Sequence, residues 1–210
     1  KTSENVIKGI LRHKNEISVF RDGTIRFDMV DITMTHFKPS EIGITAEKAR
    51  ELGYDVENDD DIVELRPQDV VIPRNCMEGL FNTTKYIDDL LVTLYSMDRF
   101  YNCETSEDLV GHLIMGIAPH TSGAILARII GFAGIKGHYG HPFFHAAKRR
   151  NCDGDIDAIL LLLDGLLNFS KSFLSAFRGG MMDAPLILTT TIEPTEIDKE
   201  ALNVDTMYQY

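Results

Sequence analysis

Cysteine is scarce in this 210-residue sequence: there are three, Cys76, Cys103 and Cys152, and no Cys-x-x-Cys pair. An odd, widely spaced set builds neither a disulfide framework nor a cysteine zinc site, and it suits a reducing, cytoplasmic compartment. Long apolar runs are missing too. None approaches the roughly 18 residues that a membrane span requires, and no secretory signal opens the chain, so no membrane partner is expected. Positive charge is in deficit: the net charge is −11. The surface as a whole is therefore ill suited to nucleic acid, and any such contact must come from a local basic cluster. There is no internal repeat and no low-complexity tract. What remains is ordinary for a globular protein, 44% hydrophobic and 25% charged, and long enough for one large domain or two small ones with a real core. The sequence starts at Lys1 without Met and stops at Tyr208-Gln209-Tyr210 in what reads as structured sequence, so a piece of a longer protein is expected.

One stretch stands out: Lys148-Arg149-Arg150-Asn151-Cys152-Asp153-Gly154-Asp155-Ile156-Asp157, followed by the apolar run Ala158 to Leu163. In extended backbone, residues two apart share a side, so Asp153, Asp155 and Asp157 would present three carboxylates on one face. On a helix the same spacing scatters them. Three like charges repel, and a divalent cation is the simplest species to offset this. Hard carboxylate oxygens suit Mg²⁺, Mn²⁺ or Ca²⁺. Gly154, with no Cβ, allows close approach. The same residues also describe a solvated acidic loop after a helix that ends in cations. An EF-hand is excluded, because Ala158 stands where that loop's sharp turn needs Gly and the remaining loop positions are apolar.

Around this stretch, residues 1–15 read as a linker or N-terminal extension and 16–75 as the first strands of a β-barrel region. Ile17 to Arg21 and Thr24 to Phe27 flank Asp22-Gly23, a hairpin signal. Thr45 to Leu52 reads as a helix capped by Thr45 and stopped by Gly53. Ile62 to Leu65 and Val70 to Ile72 read as short strands. Residues 76–150 read as a helical insertion. A 3.6-residue period runs through Tyr86, Ile87, Leu90, Leu91 and Leu94, and again through Leu109, Val110, Leu113 and Ile114 behind a capped start at Thr105. A third helix is expected through Ile125, Leu126, Ile129 and Ile130, opened by a turn at Ala118 to Gly123. Pro142 suits a first helical position of a short helix ending in Lys148, Arg149 and Arg150, cations favoured there by the helix dipole. Residues 151–210 then carry the acidic loop, a buried strand at Ala158 to Leu162, a helix at Leu166 to Leu174 and a last strand at Ala184 to Ile192. Short strands at both ends of a helical centre make an α+β protein, a small barrel or sheet with a helical insertion.

Several segments together carry a more specific signal. They are Phe20-Arg21-Asp22-Gly23-Thr24-Ile25-Arg26-Phe27-Asp28-Met29, Thr35-His36-Phe37-Lys38-Pro39, Ala118-Pro119-His120-Thr121-Ser122, His141-Pro142-Phe143-Phe144-His145-Ala146-Ala147-Lys148-Arg149-Arg150-Asn151-Cys152-Asp153-Gly154-Asp155, and Met182-Asp183-Ala184-Pro185-Leu186. The chain resembles, over essentially its whole length, part of the large catalytic subunit of the archaeal family D replicative DNA polymerase. The resemblance implies a double-psi β-barrel, the second of two between which the active site lies. It implies a DNA-directed DNA polymerase that adds deoxynucleotides to a primer 3′ end, with Asn151, Asp153 and Asp155 as catalytic positions. Asp153 and Asp155, with Asp157, would be the ligands of Mg²⁺ or Mn²⁺. Such chemistry is mostly positioning and charge stabilisation, and two divalent ions about 4 Å apart can hold the attacking and leaving oxygens. The implied partners are primer–template DNA, deoxynucleoside triphosphates and, in the full enzyme, a sliding clamp and a small proofreading subunit that adds exonuclease (hydrolase) activity. Residues of the other barrel would complete the site, so the 210 residues alone are expected to be inactive.

Three positions depart from the family's pattern. Ile156 stands where an acid is usual, Met181 where a base is usual, and Thr191 in place of an arginine. The first should matter little, since an alternate residue points away from the acids; the other two remove positive charge. Lys148, Arg149, Arg150 and Arg178 are candidates for phosphate, the first three equally for helix termination and pairing with the aspartates. His120, Thr121 and Ser122, read at a helix N-terminus, could hold a phosphate through backbone N–H groups or simply cap the helix. His138, His141 and His145 lack the spacing of a zincin motif and read as core or interface histidines. Cys152 should be packed, without a catalytic role. Two other classes remain open: a non-catalytic nucleic-acid-binding or assembly module, and a metal-dependent nuclease or phosphatase built on the same carboxylates.

Overall fold

In the computed structural model, residues 5–119, 121, 123–170, 173 and 187–189 are described, the last three as backbone only. In chain order the elements are α1 (Val6–Lys14), β1 (Phe27–Thr33), β2 (His36–Phe37), α2 (Ala46–Glu51), β3 (Val63–Glu64), β4 (Asp69–Pro73), α3 (Met77–Tyr95), β5 (Leu113–Ile117), β6 (Gly123–Ala133), β7 (Gly137–Gly140), α4 (Pro142–Ala147), β8 (Ile156–Leu161), α5 (Leu162–Asn168) and β9 (Ile187–Thr189). Strand order β4-β7-β1-β8-β5-β6 returns to β4 through a β4–β6 pairing, so six strands close a barrel and β9 adds to β6. Pairing is mixed. β1–β7, β4–β6 and β6–β9 run parallel, the others antiparallel. Closure leaves no edge among those six strands. An α+β barrel is therefore present, but three of its six strands, β5, β6 and β7, lie within residues 76–150, the stretch expected to be a helical insertion.

Strand alternation fills the barrel. Met29 and Asp31 of β1 are buried while Asp28 is exposed and Val30 half-buried. Val70, Ile72, Ile114, Ile125, Ile129, Ile159 and Leu161 join Met29 in one core, to which α3 adds Leu80, Tyr86, Ile87, Leu90 and Leu91. The opposite faces of β4 and β6 carry Val71 and Ile130, which pack under Phe37, Ile42, Ala49 and Leu65 of the segment between β1 and β4. No described helix is long and apolar enough to cross a membrane.

Several local readings hold and others do not. Thr45 caps α2, its side chain accepting from Lys48 N, and Gly53 with φ +94 stands just past the end. The periodic stretch at 86–94 lies in α3, and Ala158 to Leu161 in β8. Of the helix expected at Leu166 to Leu174, only Leu166 to Asn168 are helical: α5 begins at Leu162 and ends at Asn168, and residues 171, 172 and 174 lie outside the described residues. Residues 125–130 are strand, not helix: β6 is buried on both faces except at Leu126, Arg128 and Gly123, which are half-buried. A run that is apolar on every side carries no usable period, and its Ile-rich composition favours the pleated sheet. The second expected helix is likewise a single 3₁₀ turn, Ser106–Leu109, with a Thr105–Asp108 capping box, and then strand β5. The Asp22-Gly23 hairpin reduces to a turn. Asp22 is buried and its Oδ1 accepts from Thr24 N at 2.9 Å and Thr24 Oγ1 at 2.7 Å. Asx chemistry builds that turn, and no strand precedes it.

The glycine-rich segment is tight where strands meet. A Cβ at Gly137 would lie 2.4 Å from Val30 O, whereas one at Gly134 would meet nothing within 4 Å. Gly137→Ala should therefore cost about 1–3 kcal/mol by overpacking, and Gly134→Ala less than about 0.5 kcal/mol. Urea unfolding midpoints of the two variants check this.

α5 is tied to the turn before β1 by Asp164, whose Oδ2 accepts from Ile25 N at 2.6 Å and Oδ1 from Asn168 Nδ2 at 2.9 Å. Burial pushes this carboxyl up to about 7, against the pull of those two donors. In an unfolded chain it would titrate near about 3.9. Between those values the folded state keeps a proton that the unfolded state has lost. Its contribution is thus fully present below about pH 4 and is lost as pH rises through 7, at no more than about 1.4 kcal/mol per unit. Denaturant unfolding between pH 5 and 7.5 should show this downward slope with rising pH, and Asp164→Asn should remove it.

Candidate functional site

The loop from α4 to β8 carries the acidic stretch. Pro142 is a first helical residue, and His141 caps the helix by accepting from Phe143 N. At the other end Arg149 N donates to Ala146 O at 2.8 Å and Arg150 N to His145 O at 3.0 Å. This paired 5→2 and 6→1 pattern ends helices with a left-handed residue, usually Gly. Here that residue is Arg149, with φ 62. Cys152 (φ 61) and Gly154 (φ 112) are left-handed as well. The backbone is non-helical from there to β8, as the two-residue spacing of the acids requires.

The three acids do not share one environment. Asp153 is exposed, as is Asn151; the Asp155 side chain is 33% exposed and the Asp157 side chain is fully buried. Arg150 bridges the last two. Its Nη1 lies 3.2 Å from Asp155 Oδ2 and its Nε 2.6 Å from Asp157 Oδ1, while Nη2 donates to Ile156 O at 2.8 Å. Ile156, between Asp155 and Asp157, is 48% exposed. Cys152 is half-buried, and burial pushes its thiol up to about 12, which leaves it protonated and packed.

Of Lys148, Arg149 and Arg150, Arg149 alone is exposed. Lys148 turns inward: its side chain is fully buried and its Nζ pairs with Asp157 Oδ2 and, at 3.1 Å, with Asp31 Oδ1. A phosphate contact is not open to Lys148 in this arrangement, because its charge is already taken up by two carboxylates. Thr121 lies in the turn between β5 and β6, its Oγ1 donating to Ala118 O at 2.8 Å. A strand follows it, so the expected helix N-terminus for phosphate is absent there. His120, Ser122 and Arg178 lie outside the described residues, as do Met181 and Thr191.

Sequence reasoning passed over Asp31. It sits on β1 beside His138 of the parallel neighbour β7. His138 Nε2 is 3.2 Å and His145 Nδ1 3.7 Å from Asp31 Oδ1, and His145 Nε2 donates to Ile32 O at 3.1 Å. All three side chains are fully buried. Burial pushes the Asp31 carboxyl up, but the His145 contact and the Lys148 ammonium outweigh it and hold it well below the ordinary range. Burial, helped by the Lys148 charge, holds His138 neutral. Asp157 is raised by burial, with Lys148 pulling the other way. One signal for Asp31 was available: it shares the apolar face of β1 with Met29, where an acid requires a partner. His138 and His145, read as core histidines, are core residues.

The donors that face outward, Asp153 and Asp155, are carboxylate oxygens, and the exposed Asn151 adds an amide oxygen. Hard oxygen donors of this kind fit Mg²⁺ or Mn²⁺ and suit neither a thiolate-seeking nor an imidazole-seeking ion.

A family model described as DNA polymerase II large subunit DP2, catalytic domain, matches residues 1–210. The chain is also similar to proteins named DNA polymerase II large subunit. It is 56% identical over 214 residues to that of Methanocorpusculum labreanum, covering 99% of this chain and 19% of the relative. It is 58% identical over 207 residues to that of Picrophilus torridus (99% and 19%) and 58% identical over 210 residues to that of Thermoplasma acidophilum (100% and 19%). The chain thus spans 19% of the length of these curated relatives.

Proposed function

This chain belongs to the family of DNA polymerase II large subunit catalytic domains, and from that premise we propose that it forms part of the catalytic core of a replicative DNA-directed DNA polymerase. Asp153 and Asp155 are the ligands of a divalent cation, Mg²⁺ or Mn²⁺, and Asn151 orients a ligand or the sugar. When bound, the cation draws charge from the attacking and departing oxygens. The reaction joins the primer 3′ oxygen to the α-phosphorus of a deoxynucleoside triphosphate, with loss of the hydroxyl proton and departure of diphosphate. Little covalent work falls to the protein, so its residues act by placement and charge.

The observation that carries this reading is the division of the acids. Asp157 is held inward by two cations, while Asp153 is exposed and Asp155 partly exposed on a non-helical loop. Arg149 supplies exposed positive charge on the same loop for phosphate, against an overall negative surface. Asp157 serves beneath the ligands rather than among them. The closed mixed barrel is read as the second double-psi barrel, completed by residues of another barrel of the large subunit. Primer–template DNA, nucleotides, a sliding clamp and a small proofreading subunit are the partners of the whole enzyme, in the cytoplasm.

Primer extension by the intact polymerase carrying Asp153→Ala or Asp155→Ala tests the reading. Loss of extension with the fold preserved supports it, and normal extension by either variant ends it. Metal-dependent DNA cleavage lost in the same variants would favour the nuclease instead.

A further inference from the structure

The proposed chemistry uses the outward acids and leaves unexplained a charged layer under them. Two carboxylates, Asp31 and Asp157, share the Lys148 ammonium, and Asp157 also takes Arg150. We propose that Lys148 is a positioning residue, a built-in cation that holds the acidic loop in the geometry Asp153 and Asp155 need to take a divalent ion. The inference rests on the polymerase reading and deepens it.

The fold makes room for this ammonium. Gly116 of β5 leaves the space: a Cβ there would lie 2.9 Å from the Phe144 ring and 3.2 Å from Lys148 Cδ. Lys148 Nζ then sits 4.7 Å from the Phe144 ring centroid, 3.1 Å from Asp31 Oδ1 and 3.5 Å from His138 Nε2. Asp31, His138 and His145 present ligand-type atoms within 4.8 Å of one another. The Asp31 Oδ2, His138 Nδ1 and His145 Nδ1 atoms are buried with no hydrogen-bond partner among the described residues. Such a constellation attracts a cation, and the lysine supplies one without any exchange with solvent. A divalent ion added beside it would meet the ammonium charge at close range.

The same residues close the loop at both ends. Asp31 N donates to Asp155 O at 2.9 Å, so the strand that carries the buried carboxylate also holds the backbone of the candidate ligand. Asp157, gripped by Lys148, takes Arg150 Nε at 2.6 Å, and Arg150 reaches back to Asp155. Between these ties run Arg149 and Cys152, both left-handed without being glycine. Backbone of that kind persists only where its surroundings over-determine it. Remove the ammonium, and Asp31 and Asp157 lose their common counter-charge while the loop loses the anchor that holds this backbone.

Lys148→Met keeps the stem and removes the charge. Asp31→Asn keeps the shape and the backbone bond to Asp155 O. In the intact polymerase, Mn²⁺ binding followed by electron paramagnetic resonance should weaken about 10–100-fold in both variants, the range that outer ligand-orienting partners command. Primer–template affinity should stay within about twofold, since neither side chain reaches the surface, and the Mg²⁺ midpoint of extension should move with the Mn²⁺ affinity. Lys148→Arg should bind Mn²⁺ more tightly than Lys148→Met. Unchanged Mn²⁺ affinity in folded Lys148→Met overturns the inference; if that variant does not fold, Asp31→Asn decides by the same criterion. With Asp155→Ala as control, the two ideas separate. An inactive control beside a normal Lys148→Met removes only the positioning role, whereas a fully active control removes the polymerase reading and this inference with it.

Discussion

Asp155→Ala should lower primer extension by the intact polymerase about a thousandfold or more while leaving the fold in place. Charge stabilisation by a bound divalent ion is worth several kcal/mol in the transition state. Each 1.36 kcal/mol is a factor of ten, so losing about 4 kcal/mol gives about a thousandfold. The structural cost is small for a definable reason. Asp155 pairs with Arg150 at 3.2 Å while 33% exposed, and such pairs contribute only about 0–1 kcal/mol. Arg150 keeps Asp157 and Ile156 O after the change. The bond from Asp31 N goes to the backbone oxygen of residue 155, which alanine retains. Single-turnover extension, with thermal unfolding as the control, measures both halves. Extension within about tenfold of wild type would contradict the ligand role, given what one such interaction contributes.

Two residues further on, the balance reverses. Asp157→Ala should destabilise the barrel by about 3–5 kcal/mol, the usual effect of removing one partner of a buried ion pair. The Lys148 ammonium would keep only Asp31 as counter-charge, and Arg150 Nε would lose its 2.6 Å acceptor. For a domain of this size that corresponds to a fall of roughly 6–20 °C in melting temperature. Differential scanning calorimetry of the 210-residue chain reads it directly. A fall as small as that of Asp155→Ala would mean that the buried pairs are not holding the loop. The alternating acids thus predict two phenotypes, activity lost at Asp155 and stability lost at Asp157, from one sequence pattern.

How far the sequence could be read depended on whether the signal was local. Thr45 and Gly53 bracket α2 because capping and left-handed stops act within a few residues. Pro142 opens α4 for the same reason. Residues 125–130 misled because their apolar neighbours run on without a polar face, and only the strands beside β6 decide what such a run becomes. Asp22-Gly23 makes a turn, yet no strand precedes it among the described residues. At the site, the spacing of Asp153, Asp155 and Asp157 correctly demanded non-helical backbone. Asp31 and His138, 107 positions apart, become register partners only when β1 and β7 pair.

By itself, the sequence determined the family, the α+β class, the place of the acidic loop and its backbone type, since these follow from residue identity and short-range spacing, whereas the barrel strands within residues 113–140 were decided by their neighbours in the sheet. Tertiary structure alone decided which acids face water, why Lys148 points inward and which strand residue stands beneath the loop. Those choices depend on what is packed at close range in space. The electrostatic worth of a carboxylate is set by its burial and counter-charges, and neither can be read from neighbours along the chain.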